Sequence, residues 1–223
     1  DQTAFEFLEL DDVESRDGVL RRTDYEFLNL HVFENQLLAS VRLKSTTSRP
    51  GELELLLIGP PYEGAEDPPP KREMESLLRN TNVHLAATED DLLTGTLDTL
   101  YLSAEIIGEG IGSELFAFTR RSGLRLVADL LPGPESSQPL DLFMDGDIAY
   151  FTALATRVDS NTGVRALRRE LFVLDSTTGT VRAVRAGQEV DGAPSLIGST
   201  LFFNSRFQSD TQDLLWSYET SQD

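Results

Sequence analysis

A pair of apolar, aromatic segments recurs along this chain, and the repeat limits the fold more than any other feature. The first segments of the pairs, spaced at roughly 50 residues, are LYLSAE (100–105), AYFTAL (149–154) and LFFNSR (201–206). The second segments, each with an aromatic residue in third position, are ELFAFTRRSG (114–123), ELFVLDSTTG (170–179) and LLWSYETSQD (214–223). A weaker copy lies upstream, where LLASVR (37–42) precedes ELELLLIG (52–59). One structural unit is therefore predicted to occur four times.

Further short segments complete the unit. A glycine turn, at Gly123 or Gly179, leads into LRLVADL (124–130) or TVRAVRA (180–186). The fourth segments, which follow a loop that contains proline, are LDLFM (140–144) and SLIG (195–198). Alternating apolar residues with β-branched and aromatic side chains favour strands, and glycine between them favours tight hairpins. The unit is therefore predicted to be a four-stranded antiparallel meander, the building block of a β-propeller.

These units predict an all-β chain, folded as a small β-propeller with four blades of four-stranded antiparallel sheet. The predicted blades of this single domain (1–223) are 24–88, 89–131, 137–187 and 193–223. The last copy ends after its third strand, so TAFEFLEL (3–10) is predicted to supply the outer strand and close the ring. A partial ring that a second chain or further sequence completes is the alternative. An insertion at 60–79 is expected on the surface, and only KREMESLLRN (71–80) suggests a short helical turn.

Charge and composition exclude several function classes. The chain carries 38 acidic and 19 basic residues, a net charge of −19 that repels phosphate backbones and argues against nucleic acid as a partner. It has no cysteine, which excludes disulfides and zinc–thiolate sites. No apolar run approaches the roughly 20 residues of a membrane-spanning helix. The opening residues DQTAFEFLEL (1–10) show no signal-peptide pattern, as expected of a mature N-terminus.

The stretch 112–153 resembles the bacterial repeat with a Glu-Leu-Trp-x-x-Asp-Gly-Thr signature, a resemblance that extends over 98–223. The residues at its Glu-Leu-Trp positions are Glu114, Leu115 and Phe116, then Glu170, Leu171 and Phe172, with Trp216 in the last copy. Later landmarks of the repeat match Val127, Asp129, Pro132, Gly133, Tyr150 and Phe151. The Asp-Gly-Thr half is lost after Glu114 and survives in part from Asp175 to Gly179. The resemblance implies a propeller-like exported bacterial protein, periplasmic or secreted, and transfers no catalytic residue.

Arginines provide the first candidate binding residues. RALRRELF (165–172) contributes Arg165, Arg168 and Arg169, and Arg157 precedes it, all expected in the longest loop between strands. Such a cluster can dock an acidic partner or an anion; a solvated loop that balances acidic neighbours is the alternative. Tyr62 and Arg72 in the 60–79 insertion form a second candidate surface. Deletion of 60–79 or 155–169 is expected to spare the fold and abolish partner binding.

Acidic loops provide the candidate ion sites. Asp159 and Asn161 lie in DSNTG (159–163), and DDVESRDG (11–18) holds further carboxylates. Calcium binds six to eight oxygens of this kind, so calcium is the one cofactor that the sequence suggests. Neither loop has the full spacing of a calcium-binding loop, and Asp and Asn also favour turns for conformational reasons.

Signals for catalysis are weak. His31 and His84 lie far apart in strand-like stretches, and GEGIGSE (108–114) is expected to be a hairpin loop because no helix follows it. A glycosidase uses a pair of carboxylates. Two pairs of neighbouring aspartates could supply them, Asp90 with Asp91 and Asp145 with Asp147.

A non-enzymatic binding or scaffolding module, an accessory subunit of a larger exported or periplasmic bacterial assembly, is therefore the favoured function. It would bind a protein partner, and glycan is a second ligand class. A polysaccharide-acting hydrolase or lyase with acidic residues near the propeller axis is the alternative.

Overall fold

The computed structural model describes residues 13–15, 18–20, 22–34, 36–45, 47, 50–58, 74–78, 85–86, 92–95, 98–158, 163–186, 188–207 and 214–220. Its regular structure consists of antiparallel strands and one short 3₁₀ helix. The prediction of an all-β protein is therefore confirmed. The chain divides into two compact units, Asp1–Glu89 and Asp90–Asp223.

The elements of the first unit are β1 (Val13–Ser15), β2 (Gly18–Leu20), the 3₁₀ helix (Arg22–Asp24), β3 (Tyr25–Phe33), β4 (Gln36–Leu43), β5 (Leu53–Ile58), β6 (Met74–Ser76) and β7 (Leu85–Ala86). β1 and β2 form a hairpin, and β3 to β6 form an antiparallel sheet in chain order, which we call the first sheet. One face of this sheet buries a cluster around Tyr25, Val41 and Leu56, because alternate residues of each strand point to the same side.

The helical turn predicted for 71–80 is wrong where the structure describes it. Met74–Ser76 is a strand, paired antiparallel with β5 from Leu56 to Ile58. β5 is buried along its whole length, so its second edge needs backbone partners that water cannot supply. This tertiary requirement outweighs the helix propensity of the segment.

The strands of the second unit are β8 (Leu92–Gly95), β9 (Leu100–Ile106), β10 (Ile111–Thr119), β11 (Gly123–Ala128), β12 (Leu140–Asp145), β13 (Ile148–Val158), β14 (Arg165–Asp175), β15 (Thr180–Ala183), β16 (Gln188–Ile197), β17 (Thr200–Phe207) and β18 (Leu214–Glu219). They form three antiparallel meanders, which we call the second sheet (β8–β11), the third sheet (β12–β15) and the fourth sheet (β16–β18). The predicted glycine turns are present, with φ of +69° at Gly123 and +71° at Gly179. The loop at 107–110 joins β9 to β10 as a hairpin, as predicted.

The third sheet packs through both of its faces. Phe151 belongs to a cluster with Leu115 of the second sheet, whereas Tyr150 belongs to a cluster with Phe203 of the fourth sheet. Neighbouring residues of a strand point to opposite faces, so an uninterrupted apolar run on β13 can fill two interfaces at once. The second, third and fourth sheets are therefore stacked face to face.

The segment 155–169, predicted to be the longest loop between strands, is mostly strand. β13 and β14 are 11 residues long each and pair without interruption from Ile148–Asp175 to Val158–Arg165. Ala153 and Ala155 extend the buried cluster of the third sheet into this region. An arginine-rich sequence resembles a solvated loop, but here hydrogen bonds and ion pairs accommodate the arginines within strands.

A glutamate occupies the same position of the third strand in the first three sheets. Glu54, Glu114 and Glu170 are fully buried. Their cross-strand neighbours, all small or β-branched, are Val41, Ala104 and Ala153. The sequence repeat contained Glu114 and Glu170, and the structure adds Glu54 to the series.

Each of these carboxylates is stabilised in a different way. The Ser76 hydroxyl donates to Glu54 Oε2 at 2.6 Å. Glu114 accepts from the backbone N–H of Leu130 and of Ser137, both at 3.0 Å, and from the Ser137 hydroxyl. Glu170 pairs with a guanidinium, described below. Because a buried charge without partners is costly, each glutamate determines which group must lie beside its sheet.

Burial raises the pKa of Glu114, and its hydrogen bonds oppose that rise. We expect Glu114→Leu to lower the free energy of unfolding by about 2 to 4 kcal/mol, since the buried N–H of Ser137 and the partly buried N–H of Leu130 lose their acceptor. Glu105→Leu, an exposed change on the same sheet, should shift it by less than about 0.5 kcal/mol. Urea denaturation of both variants checks this, and equal losses would contradict it.

Burial, with smaller contributions from Tyr218 and Asp145, raises the pKa of Tyr150 to about 12. The folded state therefore keeps this proton at a pH where the unfolded chain releases it. Stability that is complete below pH 10 should fall as the pH rises from about 10 to about 12. Tyr150→Phe should flatten this part of the stability profile, which denaturant titrations across the range would measure.

Candidate functional site

The β13–β14 hairpin extends beyond its neighbours in the third sheet. β12 pairs with β13 only as far as Thr152, and β15 pairs with β14 only from Phe172 to Asp175. Residues 153–158 and 165–170 therefore continue as a two-stranded extension, which we call the arm. The arginines singled out from the sequence, Arg157, Arg165, Arg168 and Arg169, all lie on it.

Arg157 and Glu170 form a bidentate ion pair across the two strands of the arm. The Glu170 side chain is fully buried, whereas the Arg157 side chain is 30% exposed. The hydrogen bond to Glu170 raises the pKa of Arg157 above its ordinary value, against the opposing effect of burial. Planar, two-point pairing of this kind fixes orientation as well as charge, so it holds the two strands in register.

Two further arginines fasten the base of the arm. Arg168 pairs with Glu189 of β16 at 3.0 Å. Arg169 donates to the carbonyl of Gln138 at 2.9 Å and to the Thr152 hydroxyl at 3.3 Å. Three of the four predicted binding arginines therefore take part in contacts within the chain. Two of them, Arg157 and Arg168, pair with acidic neighbours, as the alternative interpretation of the sequence allowed.

The segment 130–141 connects the arm to the second sheet. Ser137 donates to Glu114, and the Ser137 carbonyl accepts from the backbone N–H of Leu154 at 2.6 Å. Gly112 packs so closely against the segment that a Cβ there would lie 2.1 Å from the carbonyl oxygen of Glu135. The serines of the predicted proline–glycine loop thus act as a strap between two sheets.

Backbone strain occurs where this strap meets the arm. Gln138 has φ of +46° and Asp141 has φ of +54°, values that non-glycine residues adopt rarely. The Gln138 carbonyl accepts from Arg169, and Asp141 accepts from the Thr152 hydroxyl at 3.1 Å. These bonds compensate the strain and position the base of the arm.

Apolar side chains are exposed toward the tip of the arm. Val158 is 54% exposed and Leu167 is 49% exposed, and Arg165 beside them is also exposed. Val158 lies directly across from Arg165, so the three side chains share one face. A firmly held base with an apolar and cationic tip is an arrangement suited to binding a macromolecular partner.

A small cleft, about 320 Å³ in volume, lies at the opposite end of the third sheet. Ile148, Asp175, Thr178 and Arg182 are among its lining residues. Hydrogen bonds from Thr177 and Thr178 lower the pKa of Asp175 to about 2, so its carboxylate is charged at all physiological pH values. These bonds shape the DSTTGT turn, and no sequence signal had marked it as a cleft.

Several other candidates lie outside the described residues. These are Tyr62, Arg72, His84, Asp90, Asp91, Asp159, Asn161 and, within 11–18, residues 11, 12, 16 and 17. In the part of the chain that the structure does describe, no three His, Cys, Asp or Glu side chains come together as a metal site.

The structure also describes three residues that the sequence suggested for catalysis, and these are His31, Asp145 and Asp147. His31 is half-buried on β3, where desolvation lowers its pKa and favours the neutral ring. Asp145 accepts from the Thr220 hydroxyl at 2.9 Å, and the Asp147 carbonyl accepts from the backbone N–H of Ser176 at 2.8 Å. Both aspartates lie at the β12–β13 turn.

The sequence matches no protein-family model, and it has no significant match among curated proteins. The resemblance of 98–223 to the bacterial repeat therefore stays a prediction. Within the described residues, no helix has the length and hydropathy that crossing a bilayer requires.

The ion pair in the arm leads to a test by double-mutant cycle. Arg157→Met removes the bidentate partner of the buried Glu170 carboxylate and should lower the free energy of unfolding by about 3 kcal/mol. The double change Arg157→Met with Glu170→Leu should recover most of that loss, because no buried charge remains. Thermal and urea unfolding of the four proteins measure the cycle, and additive effects would show that the pair does not hold the arm.

Proposed function

We propose that this protein is a non-enzymatic binding module, a scaffolding subunit of a larger exported bacterial assembly, and that the arm is its docking element. The observation that carries this proposal is the arm itself, fastened at its base by three arginines and apolar at its exposed tip. Exported location and bacterial origin rest on the resemblance to the bacterial repeat.

The proposed framework is a small four-bladed β-propeller. Three features support it: consecutive meander sheets, face-to-face packing of the second, third and fourth sheets, and the recurring third-strand glutamate. The fourth sheet has three strands among the described residues, which is consistent with closure by the predicted strand at 3–10. That strand lies outside the described residues. Propellers use loops and extensions at their ends to bind partners, and the arm is such an extension.

The fixed geometry, the exposed apolar side chains and the positive charge of the arm favour a protein partner. A docking element with fixed geometry loses little conformational freedom on binding, so more of its contact energy appears as affinity. Exposed valine and leucine can fill an apolar pocket, while Arg165 adds a charged contact at the rim. Residues 153–170 carry four arginines against Asp159 and Glu170, a local charge of +2. Because the whole chain carries −19, the other residues carry −21, and the arm is a cationic site on an acidic protein.

This leads to a binding test on folded protein. Val158→Ser with Leu167→Ser removes the apolar tip without touching the three fastening arginines. We expect at least a tenfold loss of affinity for the native partner, the equivalent of about 1.4 kcal/mol, with an unchanged melting temperature. Affinity capture from the protein's own source, followed by titration of the purified partner, measures the loss.

Ile197→Ser is the matched control, because Ile197 is 68% exposed and lies away from the arm in the β16–β17 hairpin. Partners lost with the arm variant and kept with the control identify the arm as the docking element. Equal retention by both variants would overturn the proposal. Point substitutions replace the deletion of 155–169 suggested by the sequence, since that deletion would remove buried strand residues such as Ala155.

A further inference from the structure

The direction of the backbone groups along the arm can be read from bonds at its base. The N–H of Leu154 points away from β14, because it donates to the Ser137 carbonyl. The carbonyl of Leu171 points away from β13, because it accepts from the N–H of Val184. In a regular antiparallel ladder every second residue points the same way, and the β13–β14 register has no bulge.

The same alternation determines which residues direct their backbone N–H and C=O groups outward farther along the arm. On β13 these are Thr156 and Val158, and on β14 they are Arg165 and Leu167. Within the described residues, their outward N–H and C=O groups make no backbone hydrogen bond. The arm therefore has two edges that can accept another strand, and unpaired edges of this kind are templates for strand addition.

Charge distinguishes the two edges. β14 carries Arg165, which is exposed, and Arg169, which donates to the neutral groups of Gln138 and Thr152. Arg168 of β14 is paired with Glu189, and Arg157 of β13 is neutralised by Glu170. A strand that lies beside β14 brings its side chains next to those of Arg165 and Leu167. The chemistry that matches them is an extended segment that carries an acidic and an apolar residue two positions apart, because such residues lie on one face of a strand.

We propose that the arm binds its partner by β-strand addition, with an acidic, apolar segment of another protein pairing along the β14 edge at Arg165 and Leu167. This deepens the function proposed above and rests on the arm as docking element. A second copy of the chain is disfavoured as occupant, since it would bring two arginine-rich edges together.

Hydrogen exchange tests the pairing directly. The probe is a capped ten-residue peptide of sequence TETVTETVTE, which places glutamate and valine in turn along one face, and its control has lysine at each glutamate position. At saturating glutamate peptide, the amides of Arg165 and Leu167 should exchange at least about tenfold more slowly, because exchange then requires the added strand to open. The amides of Thr156 and Val158 should keep their rates, and the lysine peptide should protect none of the four.

Proline variants separate backbone pairing from side-chain contact. Leu167→Pro removes an outward N–H and no bond of the arm, a position where strands tolerate proline. It should weaken peptide binding at least about tenfold, Leu167→Ala should weaken it less, and Thr156→Pro on the opposite edge should leave it within about twofold. Circular dichroism and melting curves verify that each variant is folded. If a variant does not fold, the exchange measurement on the unaltered protein still tests the proposal.

The outcomes separate the two proposals. Equal binding by Leu167→Pro and Leu167→Ala, protection at Thr156 in place of Leu167, or no binding of the glutamate peptide would each overturn strand addition. Concentration-dependent protection of Leu167 without peptide, with dimers in sedimentation, would assign the edge to a second copy and also overturn it. Loss of the native partner on Val158→Ser with Leu167→Ser would still support the arm as docking element in all these cases.

Discussion

The buried carboxylate of the third strand is the interaction on which the rest of the structure depends. Placing a glutamate inside a β-sheet stack is unfavourable unless donors surround it. Glu54 requires Ser76, so β6 must lie along β5; Glu114 requires Ser137, so the strap must cross to the second sheet. Glu170 requires Arg157, so the hairpin must continue far enough for the two to meet. One repeated residue thus accounts for three unrelated local structures.

The strands and tight turns could be predicted from the sequence because they depend on local chemistry. Short runs of apolar and aromatic residues located β9, β13 and β17, and Gly123 and Gly179 marked turns that need positive φ. The helical turn at 71–80 was wrong, because local propensity does not include the demand of a buried neighbouring strand. The sequence did not align Glu54 with Glu114 and Glu170, because its segment, ELELLLIG, lacks the aromatic residue of the other copies.

The candidate site was only partly predictable. The sequence gathered the four arginines, but it could not show that Arg157 and Glu170 meet, because their contact depends on the hairpin register. Nor could it distinguish a bonded arginine from one that points to solvent. The strain at Gln138 and Asp141 is likewise a property of the assembled strap and arm. The information missing from the sequence was in each case a long-range pairing.

The uninterrupted ladder of β13 and β14 also restricts how the length of the arm can vary among related chains. Side chains and backbone groups both alternate with a period of two residues. Deletion of one residue of β14 between the base of the arm and Leu167 would therefore invert that strand beyond the deletion, turning Leu167 to the other face and moving its N–H from the open edge to the paired one. Related chains that retain the same surface should differ in arm length by an even number of residues in each strand, whereas the connection between the strands is free to vary in length.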